Sequence, residues 1–289
     1  MNWALKIIFM LLLPQIAHGQ IITDTIIPFS DQIYRATTIT KVKCSLSSKK
    51  DSLLFGTAFF YSQRADGANK LEHDKIWIIS NRHVFFPQEK YPDTVWFHAR
   101  RKTKTSIDWV PIPISQKYIK NNCKYFNDSN IDIAAIEVTN LNFAIDDAFP
   151  FFTVHEGNFA SSKNNRLKPQ VGENVIVVGY PLGFYDEYNK YPIVKSGIIA
   201  SGYGLNFRGT PSFIIDCHLF PGSSGSLVAL QPRDVYLKDG KLVYVDRSAI
   251  IFLGILSGEP YRKDPNTGKP LTVNISQIWY AELIKDLLK

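Results

Sequence analysis

The sequence of 289 residues predicts an all-β protein, folded as a barrel or a sandwich. Its 16 prolines, 17 glycines and 13% aromatic residues favour strands and turns over a helix bundle. Short segments rich in Val, Ile, Phe and Tyr recur along the chain, and polar turns rather than helices separate them. A hydrophobic content of 45% with 20% charged residues indicates a folded, globular chain.

The predicted strands fall into two groups, each strand being bounded by Gly, Pro, Asn or Asp. The first group comprises residues 53–61, 75–80, 94–100 and 131–138. The second comprises residues 174–181, 191–201, 212–219, 226–230 and 249–258. Residues 141–170 lack clear periodicity and contain polar breakers, so this segment is the expected connector between two β units.

Two further elements are predicted near the C-terminus. Residues 236–245 are typical of a hairpin, with Asp239-Gly240 supplying the pair that a type I′ turn favours. The tail predicts a helix over about 275–288, because one face of it would carry Ile275, Ile278, Trp279, Leu283 and Leu287.

The first residues are typical of a cleaved secretory signal peptide. Lys6 precedes an apolar run at 7–13, and Ala17-His18-Gly19 provides a small-residue exit, so the signal would be residues 1–19 and the mature chain would start near Gln20. The alternative is a membrane anchor, but the run is well short of the roughly 20 apolar residues that span a bilayer. We therefore expect a secreted or periplasmic protein without stable membrane insertion.

The charge and cysteine content narrow the expected partners. The formal net charge of +7 falls to +6 when Lys6 leaves with the signal, and the basic run at 99–104 is interpreted as a solvated strand end. No zinc-finger, RNA-binding or Walker pattern is present, so we expect no nucleic-acid partner. Cys44, Cys123 and Cys217 allow one disulfide at most and have no ligand spacing. We expect neither a metal nor a cofactor, and the sequence does not indicate an oligomeric state.

A serine-rich segment, "HLFPGSSGSLVAL" at 218–230, offers a candidate nucleophile in Ser224. Gly222 would free the backbone to turn its N–H inward, so that the N–H groups of Gly222 and Ser224 could form an oxyanion hole. Gly225 would allow a substrate to approach closely. Taken alone, the segment is better interpreted as a serine-rich turn between strands.

A candidate base and acid lie earlier in the chain. His83 follows the apolar strand of "IWIISNRHVFF", and rigid strands often present catalytic groups at their ends. Asp132 begins an apolar strand, where a carboxylate is costly unless it is paired, and it could hold the imidazole tautomer. Asp128 is an alternative acid in a context typical of an exposed turn.

The order His83, Asp132, Ser224 excludes the α/β-hydrolase elbow, which needs G-x-S-x-G and the order Ser, acid, His. The chain instead resembles the trypsin-like serine endopeptidases, and within them the bacterial HtrA-like branch. The resemblance lies in the segments "GTAFFY", "SNRHVF", "DIAAIEV" and "IIDCHLFPGSSGSLV", with weaker matches in "VVGYPLG" and "SGIIASGYG". It extends from about residue 36 to the end.

This resemblance implies two six-stranded antiparallel barrels, with the catalytic groups in the cleft between them. The trypsin-like domain would occupy 20–289, with its first barrel over about 33–145 and its second over about 165–275. His83 and Asp132 would come from the first barrel, Gly222 and Ser224 from the second. A pocket for protein or peptide substrates would be lined by His218, Phe220, Ser257, Gly258 and Glu259.

The chain departs from the family pattern in three ways. Ser226 replaces the usual second Gly after the nucleophile; its hydroxymethyl group is small, so we expect it to be tolerated, although it could narrow the site. Ser223 stands where zymogens of the family carry the Asp that pairs with a new amino terminus, so we expect no activation of that kind. We also expect no PDZ-like segment after the protease domain. The extra hairpin at 231–247 could shape access to the cleft or be a solvated decoration.

The resulting hypothesis is a serine endopeptidase that acts through a Ser-His-Asp triad and an acyl-enzyme. Two alternatives stay open at this point. One is an inactive protein-binding module that keeps the protease fold, and the other is an esterase that uses the same triad.

Overall fold

A computed structural model describes residues 28–45, 52–64, 74–141, 151–161, 167–238, 241–244, 249–260, 262–271 and 273–289. The predicted signal peptide and the Asp239-Gly240 turn lie outside these residues. Within the described ranges, no helix combines the length and the hydropathy that crossing a bilayer requires.

The first β unit is a seven-stranded antiparallel sheet. Its strands are β1 (Thr37–Cys44), β2 (Ser52–Gln63), β3 (Lys75–Ser80), β4 (Thr94–Lys102), β5 (Ile107–Ser115), β6 (Cys123–Tyr125) and β7 (Ala134–Glu137). They are arranged in the order β5-β4-β1-β2-β3-β7-β6. Three helices accompany the sheet, α1 (Phe29–Ala36), α2 (Arg82–Phe85) and α3 (Gln116–Asn122).

Prolines explain why β5 lies at one end of this sheet. Pro111 and Pro113 pair with His98 and Trp96 of β4. Proline has no N–H to donate to a second neighbour, so a strand that contains two of them is suited to an edge. The other end strand, β6, has only three residues.

The second β unit is a closed six-stranded barrel. It consists of β8 (Asn174–Gly179), β9 (Ile193–Ile199), β10 (Ser212–Asp216), β11 (Leu227–Leu230), β14 (Phe252–Gly258) and β17 (Ile275–Tyr280). Their order is β10-β17-β14-β11-β8-β9, and β9 pairs with β10 to close the ring. Two small hairpins are inserted, β12 (Val235–Lys238) with β13 (Lys241–Tyr244), and β15 (Arg262–Lys263) with β16 (Pro270–Leu271).

The all-β class and the C-terminal helix are confirmed, and one of the two expected barrels is observed as a closed barrel. The other unit is the large sheet described above. Phe59 of the sheet packs edge-on against Phe252 of the barrel, with ring centroids 5.3 Å apart, inside a core that both units share. Separate cores fill the sheet and the barrel themselves.

The predicted start of the C-terminal helix at about 275 is wrong. Residues Ile275–Tyr280 form β17, which pairs with β10 on one side and β14 on the other. Ile278 and Trp279 point into two different cores, as alternation along a strand requires. Barrel closure therefore overrides the helical spacing. The helix α4 begins later, at Glu282–Leu288, and buries Leu283 and Leu287 as expected.

Candidate active site

His83 and Asp132 are joined at two points. The helix α2 begins at Arg82, two residues after β3 ends, and carries His83 at the end of that strand. Asp132 Oδ2 lies 2.6 Å from His83 Nδ1, and Asp132 Oδ1 accepts the backbone N–H of His83 at 2.9 Å. Because an ionised carboxylate only accepts, Nδ1 carries the proton of the neutral ring, and Nε2 is left as the acceptor.

The His83 and Asp132 side chains differ in their exposure to solvent, the imidazole being the more exposed of the two. The His83 side chain is 54% exposed, whereas that of Asp132 is 23% exposed. Asn81 Nδ2 donates to the backbone carbonyl of Asp132 at 2.8 Å and fixes the chain there. Ser257 of β14 adds a donor from the barrel, with its Oγ 3.3 Å from Asp132 Oδ2.

Asp128, the alternative acid, has a different environment. Its Oδ1 accepts the N–H of Asn130 at 2.9 Å in an exposed turn. It makes no contact with His83 among the described residues. The structure therefore brings Asp132, and not Asp128, to the imidazole.

The segment that carries Ser224 is held by backbone contacts to both units. The carbonyl of Ser224 accepts the N–H of Thr57 at 3.0 Å, and the Gly225 N–H donates to Leu256 O at 2.9 Å. Thr57 belongs to β2, and Leu256 precedes Ser257 in β14. Strand β2 of the sheet and strand β14 of the barrel therefore both hold the segment that carries Ser224. Strand β14 also contacts Asp132, through Ser257. Within the described chain, no hydrogen bond joins Ser224 Oγ to His83.

Two glycines of this segment are required by their surroundings. Gly222 has a φ of +89°, and a Cβ there would lie 2.8 Å from Tyr180 O. Gly225 has a φ of +85°, and its Cβ would lie 2.1 Å from Thr57 O. L-residues avoid such φ values, so only glycine fits both the space and the backbone. In the described part of the chain, the N–H groups of Gly222 and Ser224 donate to no backbone carbonyl.

Ser226 does not face the candidate site. It is fully buried, and its Oγ would lie 2.0 Å from a Cβ placed on Gly179. The glycine at 179 thus makes room for the serine at 226. The Ser226 Oγ has no hydrogen-bond partner among the described residues. Ser226 is therefore accommodated against Gly179 instead of narrowing the site.

The residues predicted to line a substrate pocket lie around Asn274. His218 Nδ1 lies 3.0 Å from Asn274 Oδ1, and Glu259 Oε1 accepts the Asn274 N–H at 2.8 Å. The Phe220 ring packs edge-on to His218 at 4.8 Å, and Lys195 Nζ lies 4.8 Å from its centre. Gly258 continues β14 beyond Ser257.

Comparison with protein-family models identifies the family. Residues 56–234 match the model described as the trypsin-like peptidase domain, and this match covers more than half of the chain. The chain belongs to the trypsin-like peptidase family. The matched part contains His83, Asp132, Gly222 and Ser224.

The chain is also similar to two solved structures at low sequence identity. The HtrA-type protease AlgW, solved with a tripeptide, is 14% identical and aligns over 89% of this chain with a TM-score of 0.48. The present chain spans 60% of the length of that protein. Rv3671c from M. tuberculosis H37Rv, in an inactive form, is 15% identical over 86% of this chain and 84% of its own, with a TM-score of 0.42. No curated protein matches the chain.

Thr57 was not predicted as a site residue, yet it makes several hydrogen bonds with the segment that carries Ser224 and with its surroundings. Besides the N–H bond to Ser224, its Oγ1 donates to Gly222 O at 2.9 Å and accepts the Tyr180 N–H at 3.0 Å. Its carbonyl accepts Ser80 Oγ at 2.6 Å. A threonine within an apolar strand was the available signal, but a buried threonine has many structural uses.

Arg100 was interpreted as part of a solvated strand end, and that interpretation is wrong. Arg100 is buried, and its Nε and Nη2 donate to Lys190 O at 3.1 and 2.8 Å, while Nη1 donates to Tyr34 O. The Tyr34 and Tyr191 rings stack beside it at 4.5 Å. Arg100 therefore holds the segment after β8 against α1. The three cysteines, by contrast, are all free thiols, so the structure contains no disulfide among them.

Proposed function

We propose that this trypsin-like domain is a serine endopeptidase in which Ser224 is the nucleophile, His83 the general base and Asp132 the orienting acid. The observation that carries the proposal is the two-point contact between the Asp132 carboxylate and His83. It fixes both the position and the tautomer of the imidazole, and so leaves Nε2 to accept a proton.

The chemistry follows from these roles. Ser224 Oγ attacks the peptide carbonyl as its proton passes to His83 Nε2, and a C–O bond forms. The carbonyl oxygen becomes an oxyanion, for which the N–H groups of Gly222 and Ser224 are the proposed donors. The C–N bond then breaks as His83 protonates the leaving amine. Water hydrolyses the acyl-enzyme by the same route and returns the proton to Ser224.

The hydrogen bonds to Asp132 support the different roles that we propose for Asp132 and His83. Asp132 accepts hydrogen bonds from the ring and the backbone of His83 and from Ser257. These donors reach both carboxylate oxygens and hold the group in place beside the imidazole. The carboxylate can then stabilise the imidazolium that forms during acylation without itself taking the proton.

A labelling experiment tests the nucleophile. The wild type, Ser224→Ala and Ser223→Ala are treated with a fluorophosphonate probe and then incubated with casein. Ser223 is the matched control, because it is a buried serine one position away. We expect labelling and casein cleavage by the wild type and by Ser223→Ala, and neither by Ser224→Ala.

The other outcomes separate the alternatives. A wild type that takes no label would overturn the enzyme and support a protein-binding module. Label without cleavage of casein would favour an esterase or a peptidase of very narrow specificity. Label on Ser224→Ala would show that the nucleophile lies elsewhere.

We also propose that the protein is secreted or periplasmic after removal of residues 1–19. The support is the charged start, apolar run and small-residue exit of the leader. Amino-terminal sequencing of the protein recovered from the extracellular or periplasmic fraction should read from Gln20. Recovery of a chain that starts at Met1 would contradict this proposal.

A further inference from the structure

A cavity of about 580 Å³ lies outside the catalytic groups described above. One wall is formed by the sheet strands β1, β2, β4 and β5, and the other by the segment that follows β8. Cavities of several hundred Å³ are large enough to hold the side chains of a ligand. The proposed catalytic mechanism makes no use of this one.

The sheet side of the cavity is aromatic. Trp109 of β5 lies 4.5 Å from the Tyr185 ring and 5.0 Å from the His98 ring, measured between centroids. Phe55 of β2 adds a ring that is about half exposed. Burial lowers the pKa of His98 to about 4, so its ring is neutral at neutral pH. The wall therefore presents uncharged rings to an entering group.

The opposite side of the cavity is continuous with the proposed oxyanion loop. Leu182 and Gly183 line the cavity, and the Leu182 N–H donates to Pro221 O at 2.6 Å. Gly222 follows Pro221 directly, and its α-carbon packs against this same turn. A chain that crosses the oxyanion loop in this direction would therefore reach the cavity.

The cavity also borders the His83 side of the site. Phe55 precedes Gly56, whose α-carbon is packed so closely on Val84 that a Cβ would lie 2.5 Å from Val84 Cγ1. Val84 follows His83. The leaving amine must lie beside His83, because His83 supplies its proton.

From this juxtaposition we infer that the cavity binds a side chain of the substrate segment C-terminal to the scissile bond. The inference rests on the proposed peptidase function and adds a specificity-determining site to it. The rings of Trp109, Tyr185 and Phe55 select a large apolar or aromatic side chain. Lys41 and Lys190 outnumber Asp108 at the rim, so a neighbouring carboxylate on the substrate is favoured.

The test compares cleavage-site preferences. Casein is digested with the wild type, Trp109→Ala and Tyr244→Ala, and the cleavage sites are mapped by mass spectrometry. Tyr244 is the matched control, because it is an exposed aromatic residue of the inserted hairpin, outside the cavity. We expect large apolar residues to be enriched shortly after the scissile bond with the wild type and with Tyr244→Ala. Trp109→Ala should lose that enrichment.

A pair of peptides then gives the magnitude. One peptide spans a mapped site, and the other has the same acyl part but ends in an aminocoumarin leaving group. The ratio of kcat/KM for the spanning peptide to kcat/KM for the truncated one should fall about tenfold in Trp109→Ala, since burial of one aromatic group readily supplies such a factor. Phe55→Ala, at a more exposed position, should lower the ratio in the same direction even if Trp109→Ala folds poorly.

The outcomes distinguish this inference from the proposed function. An active wild type whose site preference and peptide ratio are unchanged in both variants overturns the cavity site and leaves the peptidase intact. A wild type that cleaves neither casein nor the truncated peptide and takes no fluorophosphonate label overturns the peptidase, and the cavity site with it. An equal loss on both peptides in both variants would also contradict the inference, because it indicates a general structural role.

Discussion

The barrel and the seven-stranded sheet hold their parts of the candidate site in different ways. In the barrel every strand is paired on both sides. The segment that carries Ser224 is hydrogen-bonded to Thr57 on one side and to Leu256 on the other, and a Cβ at Gly222 or Gly225 would overlap neighbouring atoms. In the sheet, His83 stands on a short helix with more than half of its side chain exposed. One unit therefore supplies a tightly packed loop, and the other supplies a hydrogen-bonded pair, His83 and Asp132, in contact with solvent.

This difference predicts how each unit responds to substitution. Changes on the sheet side should alter proton transfer without disturbing the fold, because the groups are exposed and are held by hydrogen bonds. Changes on the barrel side should act through steric overlap and therefore through stability. The predictions below test the comparison, beginning with the largest effect.

Asp132→Asn is expected to lower kcat by a factor on the order of 10⁴ with little loss of stability. The amide would donate to His83 Nδ1 and so favour the tautomer with a proton on Nε2, which cannot accept from Ser224. Asp128→Asn, in the exposed turn, is the control and should retain wild-type kcat. The measurement is hydrolysis of p-nitrophenyl acetate together with urea unfolding of each variant. A loss below tenfold in Asp132→Asn would show that Asp132 does not set the tautomer.

Gly225→Ala is expected to lower the free energy of unfolding by about 3 to 5 kcal/mol, since overpacking adds to the strain of a positive φ. Gly172→Ala is a matched control: its φ is +86°, close to the +85° of Gly225, but no atom lies within 4 Å of the added Cβ. That variant should lose only about 1 to 2 kcal/mol, the cost of the conformation itself. Urea unfolding measures both. Equal losses in the two variants would mean that the loop has more room than the contacts of Gly225 indicate.

The free energy of unfolding should depend on pH through His98, which is buried in the sheet. The pKa of His98 is lowered to about 4, mainly by burial and to a smaller extent by the nearby Lys41, against the raising effect of the contact with Ile39 O. Between pH 6.5 and 4 the unfolded chain therefore binds a proton that the folded chain excludes, so stability is full above pH 6.5 and is lost as the pH falls. The loss should reach about 3 kcal/mol.

His98→Gln isolates this effect from the titration of carboxylates, which it leaves unchanged. The difference in unfolding free energy between wild type and variant should shrink or reverse in favour of the variant as the pH is lowered from 7 to 4. The measurement is urea unfolding across that range. A difference that stays constant with pH would show that His98 titrates in the same way in both states.

Much of the fold was predictable from local sequence patterns. The elements that were missed or predicted wrongly have one physical cause, because their structure depends on residues far away in the sequence. The strand at 75–80 was predicted with its observed bounds because a continuous apolar run between polar residues is a local property. The strand β1 was missed because threonines and lysines alternate along it, and the burial of Thr38 depends on a hydrogen bond to His98 O, 60 residues away. The tail was predicted as helix from 275 because its pairing with β10 and β14 is equally remote.

The same distinction between local patterns and distant contacts applies to the residues of the candidate site. His83, Asp132 and Ser224 could be proposed because each lies in a short segment with a recognisable context. Thr57 and Arg100 could not, because each acts through backbone carbonyls contributed by distant segments. The aromatic cavity is the extreme case, since Trp109, Phe55 and Tyr185 have no common pattern in the sequence.

The smallest predicted effect concerns the barrel interior. Ser226→Ala should raise the free energy of unfolding by about 1 kcal/mol, because it removes a buried hydroxyl that has no hydrogen-bond partner among the described residues. Activity should be unchanged, since Ser226 faces Gly179 and not the candidate site. A loss of stability on urea unfolding would mean that the hydroxyl finds a partner in solution.

A double-variant cycle completes the comparison at this position. Gly179→Ala should destabilise the wild type strongly, since its Cβ would lie 2.0 Å from Ser226 Oγ, but less in the Ser226→Gly background. The remaining cost comes from Thr57 Oγ1, which would lie 2.9 Å from the same Cβ. A coupling free energy of about 1 kcal/mol or more, with Gly179→Ala less costly in the Ser226→Gly background, would show that Ser226 is accommodated because position 179 of the facing strand is a glycine. Additive losses would place the crowding at Thr57 instead, and the serine would then need no compensating glycine.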